Sequence, residues 1–414
     1  MRILHISTED ISGGAARAAS RLHAGLLRLG HDSKMLVAQR TSDDPTVVQI
    51  NRAATPYKSL VRAIDRYQIN RSMKPYVKSR SPGLDRFSVD RSEYAVDLRD
   101  GIPAADLVNL HWVADFVDYP QFFKSHGRRF PLVWTLHDMN VFTGGCHYDE
   151  DCGKFAARCG ACPQLGSTGE HDLSREVWLR KQKAFERVAA GNLHIVADSK
   201  WLAGEAARSS LLRGRPITAI HYGLDTETFT PRNKLHARGA LGIPADASVI
   251  MFAAELMTIR RKGLGTLVEA MHEMAAQRNL VLLSVGRRMP ELPAAIPRFH
   301  FGHVNSDIFL SLLYSAADVF VIPSVQEAFG QTALEAMACG TPVVGSAVGG
   351  IPEIVQDDVT GCLVPASSPG APMWCAGCRR PPRSIRRSDF RSTCAASPSS
   401  TWRPRPKPRM AWRC

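Results

Sequence analysis

The run Glu327-Ala-Phe-Gly-Gln-Thr-Ala-Leu-Glu335 carries two carboxylates with a glycine turn and a helix start between them. Upstream, residues 318–324 (Asp-Val-Phe-Val-Ile-Pro-Ser) have the apolar pattern of a buried strand that ends at a proline. Downstream, residues 332–338 are helix-forming, Leu334 and Met337 share a face, and Gly340 stands where a helix stop belongs. A strand, a short loop and a helix therefore follow one another. The backbone N–H groups of Gly330, Gln331 and Thr332 then head a helix whose dipole favours a phosphate. Glu335, one turn further in, is placed to accept hydrogen bonds from ribose hydroxyls, and Glu327 in the loop can reach a sugar hydroxyl beyond the phosphates. Either glutamate alone reads as an ordinary helix or loop charge. The combination reads as a site for a sugar nucleotide.

The N-terminal half shows the same alternation. Residues 2–7 hold the apolar Ile3, Leu4 and Ile6, Ser12-Gly13-Gly14-Ala15 is a glycine loop, and residues 16–29 are helix-like. A glycine pair lets a ligand approach the backbone closely, although it is not a full dinucleotide fingerprint. Residues 106–112, 131–138 and 193–199 read as further strands with polar groups at their C-terminal ends, where open α/β sheets place ligands. His111, His137 and Asp138 occupy such ends. A single histidine there is more often a structural hydrogen-bonding residue than a catalytic one.

On these motifs the chain resembles the retaining GT-B glycosyltransferases of family 4, over residues 2–365. Their Glu-x7-Glu motif is matched by Glu327 and Glu335, the strand and glycine turn that follow it by residues 342–352, and their diphosphate-binding lysine by Lys262-Gly263. The resemblance implies two facing Rossmann-like α/β domains with parallel sheets: an acceptor-side domain, residues 1–222, and a nucleotide-sugar domain, residues 223–365. It implies donor contacts from Arg261, Lys262, Phe329, Gly330, Gln331, Thr332 and Glu335. His137, Glu327 and Lys262 would be the catalytic groups, and Gly13, Gly14, His111 and Asp138 would border the acceptor and the donor phosphate. No catalytic metal is expected, and the co-substrate is a nucleotide sugar. Many relatives carry an arginine six residues before the lysine; Leu256 stands there, with Arg260 or Arg261 as substitutes. The function implied is transfer of a sugar with retention to a glycan or lipid-linked acceptor in surface or extracellular polysaccharide synthesis. A GT-B epimerase or an inactive protein that keeps donor binding are the alternatives.

Within residues 144–165, Cys146, Cys152, Cys159 and Cys162 fall in a glycine-rich segment. Four thiols so close suggest a structural zinc site, although Cys-x5-Cys is wider than the usual ribbon spacing. Two disulfides or four reduced thiols compete, and His147 could replace one thiol. No secretory signal is apparent, which favours a reducing compartment.

The 414 residues suffice for two cores. The net charge of +13 invites a nucleic-acid reading, but +10 of it lies in residues 366–414, leaving +3 for the rest. That segment has eight Pro, four Cys, among them the pair Cys375 and Cys378, and almost no Leu, Ile or Val. It cannot build a core, and reads as a disordered tail of frameshift origin, with a basic tail that binds nucleic acid or anionic membrane as the runner-up. No nucleic acid is expected as a partner. No run is long enough to span a membrane, so a cytoplasmic protein is expected. The basic, partly amphipathic residues 57–80 could lie on the inner membrane surface or simply cover the first sheet.

Overall fold

The computed structural model describes residues 1–365, other than 53, 190, 275–278, 290–293 and 295. The expected tail, with Cys375 and Cys378, lies outside the described residues. The chain divides into two compact units after Tyr222.

The first unit holds a seven-stranded sheet: β1 (Arg2–Glu9), β2 (Asp32–Gln39), β3 (Val47–Gln49), β4 (Leu107–Leu110), β5 (Leu132–Leu136), β6 (Leu193–Ala197) and β7 (Ile217–Ala219). Their order is β3-β2-β1-β4-β5-β6-β7, and every pair is parallel. A parallel sheet is covered on both faces, so its central strands read as near-continuous apolar runs. Ile3, Leu4, Ile6, Val108, Leu110, Trp134 and Leu136 are accordingly buried.

The second unit repeats the plan with β8 (Ser248–Leu256), β9 (Leu280–Arg287), β10 (Arg298–His300), β11 (Val319–Ile322), β12 (Val343–Ser346) and β13 (Gly361–Val364). The order is β10-β9-β8-β11-β12-β13, again all parallel. Its core gathers Ile250, Phe252, Leu267, Leu282, Val321 and Val344. Two wholly parallel α/β units are the architecture that the GT-B resemblance implied.

Both sheets reverse direction of winding at one point, between β1 and β4 in the first and between β8 and β11 in the second. Connections leave such neighbours on opposite sides of the sheet and open a crevice at the strands' C-terminal ends. The glycine loop after β1 and His111 after β4 border the first crevice. Lys262 after β8 and Glu327 after β11 border the second.

Candidate active site

The crevice of the second sheet is built by two turns that brace each other. After β8 a short 3-10 turn, Arg260–Lys262, leads through Gly263 into the helix Leu264–Glu273. After β11 the loop 323–330 leads into the helix Gln331–Ala338. The Val325 N–H donates to the Arg261 carbonyl at 2.8 Å, and the Arg261 guanidinium donates to the Gln326 carbonyl at 3.1 Å.

Glu327 is held at their meeting point. Lys262 Nζ donates to its Oε2 at 2.6 Å, Ser324 Oγ donates to the same oxygen at 3.3 Å, and an Arg261 nitrogen lies 3.6 Å away. Burial works to raise this carboxyl, but the charges of Lys262 and Arg261, helped by both hydrogen bonds, keep it below its ordinary value. The carboxylate is thus ionised, buried and aimed, while Lys262 remains partly exposed. Ser324 was not among the residues singled out from the sequence, because a buried serine after a strand carries no signal until its carboxylate partner is known.

Glycines make the close approach possible. Gly263 has φ +72°, and a Cβ there would stand 1.8 Å from the Pro323 carbonyl oxygen. Gly349 has φ +55°, and its Cβ would stand 1.8 Å from the carbonyl oxygen of Glu327. The neighbouring Gly350 donates its N–H to that carbonyl at 3.0 Å. The Gly349-Gly350 turn after β12 is therefore the backing plate for the Glu327 loop.

The helix Gln331–Ala338 starts at Gly330, which has φ +94° and offers no side-chain cap, and its first turn contains no acidic residue. Phe329 is buried and Gln331 and Thr332 are half-buried at this end. Glu335 is 3% exposed, so it is no surface charge, and its Oε2 accepts from the Tyr314 hydroxyl at 2.9 Å. Leu256 ends β8 and is 46% exposed; of the two arginines named as substitutes there, Arg261 is the buried one on Glu327, and Arg260 is exposed.

In the first unit, Gly13 (φ +84°) precedes the helix Gly14–Arg28 without a side-chain cap. His111 and His137 end their strands in a chain of rings. His5 Nδ1 lies 2.9 Å from His111 Nε2, His111 Nδ1 lies 3.1 Å from His137 Nε2, and His137 Nδ1 meets the Tyr222 hydroxyl. Tyr222 in turn is hydrogen-bonded to Asp198. A neutral imidazole has one N–H, so one orientation satisfies every link: His5 donates to His111, His111 to His137, His137 to Tyr222, and Tyr222 to the Asp198 carboxylate. His5 Nε2, left as a bare acceptor, has no partner among the described residues. Both nitrogens of His137 are engaged in this chain, a fact that spacing alone does not reveal.

Burial holds these rings neutral, taking His5 down to about 3 and His137 down to about 4, with His111 also well below its usual range. Histidines whose folded-state pKa is depressed contribute stability that is present above their unfolded value. It is lost as the pH falls from about 6.5 toward about 4, where only the unfolded chain takes up protons. Urea unfolding at a series of pH values is expected to show stability decreasing across that window, and a His5→Gln variant is expected to show a shallower decrease. An unchanged slope in the variant would contradict the neutral chain.

A small pocket beside these rings is lined by His111, Trp112, His137, Asp138, Asn140 and His147, with Tyr119 and apolar neighbours. Both Asp138 oxygens are engaged, Oδ2 by Trp112 Nε1 at 2.9 Å and His147 Nδ1 at 2.6 Å, Oδ1 by the Asn140 N–H at 2.8 Å. His147 Nε2 meets Ser88 Oγ at 2.9 Å. With both nitrogens occupied, His147 is not available to replace a thiol, which corrects that expectation.

Cys146, Cys152, Cys159 and Cys162 are all free thiols and line a single cavity with Phe87, Asp149 and Phe155. Two disulfides are therefore not formed. Among the described residues no three His, Cys, Asp or Glu side chains are gathered as a ready ligand set, so the thiols ring a space rather than enclose a point.

Residues 247–373 match the family described as "Glycosyl transferases group 1". A D-inositol 3-phosphate glycosyltransferase of Saccharomonospora viridis is 36% identical over 167 residues, 36% of this chain and 38% of that protein. The protein of the same name from Mycobacterium bovis (strain BCG / Pasteur 1173P2) is 34% identical over 366 residues, 83% of this chain and 66% of its own length. The chain thus spans between about a third and two thirds of these relatives. Solved structures share the fold: WaaG, a glycosyltransferase involved in lipopolysaccharide biosynthesis, at TM-score 0.58 and 18% identity, covering 88% of this chain and 86% of that one. Anabaena Alr3699/HepE in complex with UDP and glucose aligns at TM-score 0.55 and 18% identity, covering 89% and 86%.

Proposed function

With residues 247–373 taken as a group 1 glycosyl transferase region, we propose that this chain transfers a sugar from a nucleotide-sugar donor to a hydroxyl of an acceptor, with retention at the anomeric carbon. The observation that carries the reading is the Lys262–Glu327 pair at 2.6 Å, beside an uncapped helix start on the switch point of a parallel sheet. The helix start and Lys262 receive the diphosphate, and Glu335 receives the ribose. Glu327 accepts from a sugar hydroxyl, its charge kept by Lys262 and Arg261. When the bond to the sugar breaks, negative charge grows on the diphosphate, and a cation already in place stabilises it without reorganisation. The leaving phosphate oxygen takes the acceptor proton, so no protein nucleophile is required. His137 and the glycine loop serve the acceptor side.

The relatives' name points to an inositol phosphate acceptor, and the resemblance to a glycan or lipid-linked saccharide in surface polysaccharide assembly. An assay with UDP-glucose and other nucleotide sugars should include both acceptor classes and read nucleotide diphosphate release. Acceptor-dependent release, with the product's anomeric configuration read by NMR, is the expected result. Donor binding without transfer would leave an inactive binding protein, and a changed sugar freed without acceptor would point to an epimerase.

Among the described residues no helix is long and apolar enough to cross a membrane. The helix Pro56–Met73 supports a peripheral location on the inner face of a membrane. Tyr57, Leu60, Ile64 and Tyr67 form one stripe along it, each 46–64% exposed, while its opposite side seats the buried Arg62 on Asp97. Exposed Arg71 continues the stripe, exposed Lys74 and Lys78 follow the helix, and Arg66 is paired with Glu93. An apolar stripe with basic side chains at its C-terminal end fits an anionic bilayer surface. Flotation with vesicles is expected to show binding that requires anionic lipid and is lost in Leu60→Glu/Ile64→Glu. Equal binding by that variant would remove the membrane reading.

A further inference from the structure

The loop between β5 and the helix Leu173–Phe185 is held by contacts that the catalytic reading does not use. A Cβ on Gly144 would meet the Ser174 carbonyl at 2.4 Å and Cys159 Cβ at 2.7 Å, and one on Gly160 would meet the Glu170 carbonyl at 2.5 Å. These glycines let the segment fold tightly enough for Cys146, Cys152, Cys159 and Cys162 to face one cavity. The cavity admits about one or two water-sized bodies, too little for an organic ligand.

Two of the sulfurs already accept backbone hydrogen bonds. The Gly144 N–H donates to Cys159 Sγ at 3.1 Å, and the N–H groups of Leu165 and Gln164 approach Cys162. Such donors stabilise sulfur that carries negative charge. Cation is close by as well. Lys181 is fully buried, and its ammonium donates to neutral groups, the carbonyls of Asn140 and Thr143. Arg175, also buried, donates to the Cys159 carbonyl and is ion-paired with Glu170 at 2.7 Å. The Lys181 ammonium, which also feels the carboxylates of Asp90 and Asp138, adds positive charge beside the thiols.

We propose that this cavity binds one zinc-class divalent cation through Cys146, Cys152, Cys159 and Cys162. The ion displaces four thiol protons, which leave to solvent, and forms four metal–sulfur bonds. The resulting centre carries a net charge of −2, with the Lys181 ammonium beside it. Side-chain rotation draws the sulfurs inward from their places around the cavity. Cys152, the half-exposed member, is the point of entry, and the other three are buried. Because binding releases the thiol protons, affinity rises with pH. The bound ion would pin the loop that supplies Asp138, Asn140 and His147 to the neighbouring pocket.

Metal analysis of the full chain, purified without chelator, is expected to give about one zinc per chain. Chelator-stripped protein titrated with Co2+ under reducing conditions should saturate at one equivalent, with thiolate-to-cobalt charge-transfer absorption and the strong visible bands of tetrahedral cobalt. Cys159→Ser is expected to lower metal affinity by more than about 100-fold, beyond the usual cost of losing an outer-shell partner, and Cys339→Ser, in the second unit, to leave it unchanged. Should Cys159→Ser fail to fold, the cobalt spectrum of the unaltered chain decides. Absence of the charge-transfer band, octahedral oxygen-type bands, an equal effect of Cys339→Ser, or a disulfide among the four in metal-free protein as isolated would each overturn the proposal.

Discussion

Lys262→Ala is expected to lower the rate of sugar transfer by about 10²–10³-fold, the usual consequence of removing one group that stabilises charge developing in the transition state. The lysine is positioned before any donor arrives, because Glu327 holds its ammonium at 2.6 Å. Its loss leaves Glu327 with Arg261 at 3.6 Å and Ser324 at 3.3 Å, so the carboxylate keeps partners and the fold should persist. Thermal unfolding of the variant serves as that control. Glu335→Ala should behave differently. Its carboxylate serves the ribose and is shared with Tyr314, so the variant should weaken binding of the bare nucleotide by about 1–3 kcal/mol, with a smaller effect on turnover at saturation. Calorimetric titration and steady-state release of nucleotide diphosphate separate the two. A turnover within threefold of the parent for Lys262→Ala would sink the assignment of the lysine.

Gly349→Ala is expected to destabilise the second unit by about 2–5 kcal/mol, combining the strain of a left-handed alanine with forced repacking. At φ +55° the new methyl would overlap the Glu327 carbonyl oxygen at 1.8 Å, and the Gly350 N–H ties that carbonyl in place. The loop cannot retreat without carrying Glu327 off Lys262, so donor binding should fall with stability. Gly239→Ala is the matched comparison. It lies in the helix Lys234–Leu241 with no atom within 4 Å of the added methyl, and is expected to stabilise by about 0.4–1 kcal/mol. Urea unfolding of both variants gives the test, and a Gly349→Ala protein as stable as the parent would show that the turn is not the support described.

The alternation of apolar runs, glycine turns and helix-forming stretches was enough to read strand–loop–helix units of open α/β sheets, because a strand buried on both faces is largely apolar and such runs ended in polar groups at 111 and 137 or led into the Glu327 loop. That the two sheets are parallel came from the family resemblance. The Glu327/Glu335 spacing likewise exposed the motif, since both residues lie on one strand–loop–helix passage. Short strands such as Val47–Gln49 and Ile217–Ala219 went unread, for three residues carry too little pattern. What tertiary structure decided was every relation between distant segments. Ser324, Lys262 and Arg261 converge on one carboxylate, Gly349 leaves room for its loop, and His5, His111, His137 and Tyr222 join from four separate stretches. The cysteine spacing showed that four thiols were near in sequence, and only the folded loop turned all of them toward one cavity. Residue types and local spacing express the chemistry available to a strand and the turn that follows it. Partners depend on which strands become neighbours, and that is set by burial and sheet order across the whole unit.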